Sequence, residues 1–124
     1  MHYIGKIDVN KVGQFACKLV TLDVILTDER ANHIKQKHFN DYNLILKKLD
    51  IAVLNPNLVL KDNNNDNTLM FIKKLNKNNL NVVVKLSTYN DRRHPKNSVM
   101  TAWIIRNSNL KKIKEKNTII YKSE

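Results

Sequence analysis

Two histidines, His33 and His38, stand five residues apart in the stretch TDERANHIKQKHFNDY (residues 27–42), with Lys35 and Lys37 between them. Such residues serve as metal ligands, as acid–base groups, or as the ordinary surface of a helix. A metal held by one helix wants ligands three or four apart, and a spacing of five turns the side chains apart by roughly 140°. No HExxH, paired cysteines or acidic cluster surrounds them, so no metal site is expected. On a helix, Ala31, Ile34 and His38 share a stripe that should meet the core, while Arg30, His33 and Lys37 share another. Three basic groups on one stripe repel unless an anion lies among them. A phosphate fits there, with His33 placed for proton transfer. The plain alternative, a solvated face with His33 as filler, stays open and is the better supported on composition alone. His38, in the last turn, is expected to cap carbonyls or pack at a core edge.

A second basic group lies in the loop STYNDRRHPKNS (87–98), which gathers Tyr89, Arg92, Arg93, His94 and Lys96. Cations meeting phosphates and an aromatic ring that stacks on a base suit RNA, though such hairpin tips are also common as plain solvated loops. In the segment 80–87, Val82, Val84 and Leu86 alternate with Asn81, Lys85 and Ser87, so Lys85 should project from the open face of a sheet. Thr101 stands among apolar neighbours, either as a packed strand residue or as a hydroxyl aimed into a groove. Trp103 and Tyr121 read as core or edge packing rather than base platforms. Cys17 is the single cysteine and has no neighbours that mark a nucleophile.

Charge narrows the partner. Lys plus Arg is 22 against 11 acids, a net of +11. Residues 1–62 hold nine basic against seven acidic groups, a net of +2; residues 63–124 hold thirteen against four, a net of +9. Such a field favours a polyanion, nucleic acid first and an anionic membrane second. Codon bias explains lysine over arginine but not the thinning of acids in the second half. With only Gly5 and Gly13, no glycine-rich phosphate loop exists, and no nucleotide cofactor is expected. No apolar run is long enough for a membrane span, and the mixed N-terminus is not a secretory signal, so the expected location is cytoplasmic.

The elements that would position these residues are legible. YIGKI (3–7) reads as a short strand, and Val12, Phe15, Ala16 and Leu19 have helical spacing. VTLDVIL (20–26) is β-rich and ends at Thr27, an N-cap for a helix over 28–38. A second helix runs from Asp41 as cap through Leu54, stopped by Pro56. Strands follow at 58–62, 68–75, 80–87, 98–106 and 118–122, joined by Asn-rich turns in which Asn stands in for glycine at φ > 0. A short helix fits 107–117, with Leu110 and Ile113 inward. The expected fold is one α+β domain over residues 1–124, its N-terminal helices packed on one face of a four- to five-stranded antiparallel sheet built from residues 58–122.

In order, ILTDERANHIKQKH, Tyr42, LNPNLVLKD, NTLMFIKKL, LNVVVKL, KNSVMTAW and IIYK resemble the phage-type Barnase–EndoU–colicin–RelE-like (PBECR) nuclease domains, over roughly residues 20–122. The resemblance implies a metal-independent ribonuclease, of a kind that occurs in phage and mobile-element polyproteins and in toxins, with helices on one sheet face and RNA on the other. It matches His33 and His38 to the helix histidines, Lys37 to the basic position between them, and Asn97, Ser98 and Thr101 to the late-strand motif. No sheet glutamate is present as general base, so catalysis would rest on histidine and lysine. A base takes the ribose 2′-OH proton, the oxygen attacks phosphorus, and an acid protonates the leaving 5′-oxygen. His33 would be base or acid. Lys37, Lys85 and Arg106 would stabilise the phosphate, with Arg30, Arg92 and Arg93 binding RNA and Thr101 or Ser98 holding the scissile group. If the domain is a toxin, an immunity or antitoxin protein is a candidate partner. The rival readings are a non-catalytic nucleic-acid-binding module and a structural component of a mobile element.

Overall fold

The computed structural model describes residues 1–91 and 95–123. Seven strands form one sheet: β1 (His2–Lys6), β2 (Asp23–Leu26), β3 (Leu58–Lys61), β4 (Thr68–Lys74), β5 (Asn79–Lys85), β6 (Asn97–Ile105) and β7 (Thr118–Lys122). Across the sheet they run β1-β2-β6-β5-β4-β3-β7. All neighbours are antiparallel except β2 and β6, which pair in parallel at Val24–Asn97 and Ile25–Ser98. The helices are α1 (Asp28–Lys37), α2 (Tyr42–Leu54) and α3 (Asn107–Lys116), with 3₁₀ turns at Val9–Lys11, Gly13–Lys18 and Phe39–Asp41.

The chain is α+β, but the expected four- to five-stranded antiparallel sheet is wrong: the sheet has seven strands and is mixed. YIGKI and VTLDVIL do form strands, as their composition predicts. Periodicity reports an element's type and not its partner, and β2 finds its partner β6 far along the chain. The helices also do not all precede the sheet or share one face, because α3 covers the opposite side.

Local chemistry starts and stops the helices. The Thr27 hydroxyl accepts the Arg30 N–H at 3.2 Å, and Asp28 and Glu29 occupy the positive first turn of α1. α2 ends at Asn55 before Pro56. Asp41 does precede α2, but its side chain makes no capping bond. Asn67 takes φ 52, the one described non-glycine residue in the left-handed region.

The alternation of each strand sorts its side chains between two faces. On the inner face Leu69, Phe71, Leu80, Val82, Val84, Val99 and Ala102 join Ile45, Leu49, Ala52 and Val53 of α2 and Ala31 and Ile34 of α1 in the main core. Burying one such side chain contributes roughly 1.5–3 kcal/mol. On the outer face Leu58, Leu60 and Ile72, with Met70, sit under Leu110 and Ile113 of α3. That helix covers the β7–β3–β4 end. Over β5 and β6 the outer side chains Lys85, Ser98, Met100, Thr101 and Trp103 are only half-buried.

The segment after β1, at one sheet edge, reaches β7 at the other. Gly13 has φ +55 and lies so close to β7 that a Cβ would meet Ile120 Cγ2 at 2.8 Å. A side chain there would be both strained and obstructed. Val12 and Phe15, on either side of it, are buried in the main core.

Candidate nucleic-acid interface

Register lays out the outer face in rows. Thr68, Lys85 and Ser98 are cross-strand neighbours, with Ile25 beside Ser98. Next come Met70, Val83 and Thr101, then Ile72, Asn81 and Trp103, then Lys74, Asn79 and Ile105. Strict alternation would put Val99 and Thr101 on one face. A bulge in the β5–β6 register breaks it, so Val84 pairs with Val99 while Val83 pairs with Thr101. Val99 and Ala102 therefore both face the core, and Ser98 and Thr101 both face out. Asn65, Asp66, Thr68, Val83, Lys85 and Met100 line a groove of about 330 Å³ here. The Lys85 ammonium donates to the Asp66 carbonyl at 2.7 Å, and the Ser98 hydroxyl to the Lys96 carbonyl at 3.4 Å.

The helix histidines part company. Ala31 and Ile34 are buried, as their stripe predicts. Arg30 and His33 are half-buried and Lys37 is exposed. His38 ends α1 through its backbone, whose N–H donates to the Ile34 carbonyl at 2.8 Å. Its ring stacks on Trp103, with centroids 6.4 Å apart and planes inclined by 21°. Trp103 lies two residues beyond Thr101 on β6. His38 thus stacks on a side chain of the outer face that lies one row beyond Thr101 and two rows beyond Lys85.

The remaining predicted residues are not all gathered. Arg106 is exposed at the start of α3, a β5 length away from Lys85, or about 20 Å at ~3.3 Å per residue. Arg92 and Arg93 lie outside the described residues. Asn97 is a structural clasp. Its Oδ1 accepts the Ser87 N–H at 2.8 Å, and its Nδ2 donates to the carbonyls of Thr21 and Asp23 at 2.8 and 2.9 Å. It ties β2, β5 and β6 together, with both amide hydrogens donated to backbone carbonyls in the interior.

Two features escaped the sequence reading. Asn81, mid-way along β5, is fully buried, and neither its Nδ2 nor its Oδ1 has a hydrogen-bond partner among the described residues. A polar side chain flanked by apolar residues in a strand was the available signal. Beyond it, Lys74, Lys77, Lys111 and Lys114 line an open groove of about 480 Å³ with Asn79 and Asn107, and no acid takes part. The lysine excess of the second half announced such a cluster without locating it.

Among the described residues no three His, Cys, Asp or Glu side chains gather as a metal site. No helix among them is long and apolar enough to cross a membrane. Compared with family models, curated proteins and solved structures, the chain matches none of them.

Proposed function

We propose that this chain binds single-stranded RNA across the outer face of β4, β5 and β6 and cleaves it by 2′-OH attack without a metal. The observation that carries the reading is the register row Thr68–Lys85–Ser98, with Thr101 one row away, on half-open sheet surface in a chain of net charge +11. A cation and two or three hydroxyls at strand spacing suit a phosphodiester: Lys85 neutralises the non-bridging oxygens, while Ser98 and Thr101 donate to them. Proton transfer then falls to a histidine. His38 is the one we favour, because its ring stacks on Trp103, one row beyond Thr101 on the same face. His33 and Lys37 stand earlier on α1, with Arg30, as secondary phosphate contacts. The order of motifs that resembles PBECR nucleases supports the same chemistry. The phage or mobile-element setting, the toxin role and an immunity partner rest on that resemblance alone.

A non-catalytic RNA-binding module is the second reading. It is favoured by the Lys85 ammonium, whose bond to the Asp66 carbonyl occupies the cation that would serve the phosphate. Incubating pure protein with single-stranded RNA in EDTA separates the two. The nuclease reading expects cleavage products in EDTA and a fall of ~10²-fold or more for His38→Ala, the usual loss of a positioned acid–base group. His33→Ala should lose less. Binding without cleavage selects the module. Cleavage unaffected by either substitution removes the histidines from the mechanism.

A further inference from the structure

We propose that Asn81 and Trp103 form a subsite for one unpaired nucleobase, with the Lys74, Lys77, Lys111 and Lys114 groove holding the phosphates that follow it. The inference rests on the RNA-binding reading and deepens it. An asparagine amide carries two donors and an acceptor, and a buried one is almost always bonded. The Asn81 amide is fully buried, yet both its polar atoms lack partners among the described residues. Its cross-strand neighbours are Ile72 on one side and Trp103 on the other. Ile72 belongs to the cluster fixed beneath α3. Trp103 is half-buried, and its described ring contact is the stack on His38. The indole, stacked on His38, is therefore the side chain that moves to admit a ligand.

The chemistry of the pair selects the ligand. An amide with adjacent donor and acceptor complements the edge of a base, which presents an adjacent acceptor and donor; the pairing of asparagine with adenine is the familiar case. An indole beside it supplies a stacking surface that every base can use. Two residues back on the same face of β5, Asn79 enters the lysine groove, where its Nδ2 donates to Asn107 Oδ1 at 2.8 Å. Two residues of strand span about 7 Å. A base seated on Asn81 thus leaves its backbone facing four ammonium groups.

Trp103 is the only tryptophan in the chain, so its fluorescence reports the subsite directly. The probes are a short mixed-sequence single-stranded RNA and the same backbone with every base removed. Wild type should bind the intact strand about tenfold or more tighter than the abasic one, as one stacked and hydrogen-bonded base implies. Only the intact strand should change the tryptophan emission. Asn81→Val should lose most of that preference while binding the abasic strand as wild type does. Asn81→Ser, which adds no volume, should do the same and covers a failure of the valine variant to fold. Lys111→Glu with Lys114→Glu should weaken both strands alike and flatten the salt dependence. Equal binding of the two strands, or unchanged preference in both Asn81 variants, overturns the subsite while leaving RNA binding standing. Wild type that binds neither strand overturns the RNA reading and the subsite with it.

Discussion

Asn97 closes the end of the sheet where β2 meets β6, and Asn81 lies in the middle of its outer face; both are 0% exposed. At Asn97 the amide ties three segments together with three hydrogen bonds. At Asn81 the same amide bonds to nothing among the described residues. Burial alone therefore does not say what a polar side chain is for. A saturated amide is part of the scaffold. An orphaned one costs stability, roughly 1–3 kcal/mol for the unmade bonds, at a place in the strand that valine would suit better.

The contrast breaks most readily at the clasp. Asn97→Ala should lower the unfolding free energy by about 2–4 kcal/mol, because it strands the Ser87 N–H and the Thr21 and Asp23 carbonyls in a dry site. Urea denaturation measures it, and a loss below about 0.5 kcal/mol would show that the clasp is dispensable. Asn81→Val should move the other way and raise stability by about 1 kcal/mol, since it removes two unpaired polar atoms from the interior. A marked loss would mean that the amide has a partner in solution, and the contrast would vanish.

The smallest effect is expected away from both sites, where the Tyr3 phenol donates to Asp23 Oδ1 at 2.8 Å across β1 and β2. That hydrogen bond, then slight burial and the negative charge of Asp23, raise the Tyr3 pKa above its ordinary value. A raised folded-state pKa stabilises the fold at pH values below the unfolded one, and that contribution is lost as pH rises through the folded value. Wild type should therefore show a small loss of stability above about pH 10 that Tyr3→Phe lacks. Parallel alkaline limbs for the two proteins would show that the bond contributes nothing.

How much of this was legible depends on the range of the interaction. Thr27 as cap, Pro56 as stop, the inward Leu110 and Ile113, and each strand from 58 to 122 follow from nearest neighbours in sequence, and they stand where pattern puts them. The parallel pairing of Val24 with Asn97 does not, because it depends on which of several β-rich segments meet. The site divides in the same way. Alternation placed Lys85 on the outer face, but the bulge at Met100 that turns Ser98 and Thr101 together leaves no signature in residue types. The helical stripe of Ala31, Ile34 and His38 was readable, whereas the contact between His38 and Trp103 was not, since the two are brought together by α1 lying along β6.

The most direct test of the account is a map of where RNA touches the protein. Single-stranded RNA carrying thiouridine, crosslinked by light and read by peptide mass spectrometry, gives it. The account predicts crosslinks concentrated in β5, β6 and the end of α1, with Trp103 and Lys85 among the modified residues and α2 unmodified. Crosslinks dominated by α2 and β1, or spread evenly over every lysine-bearing surface, would contradict it.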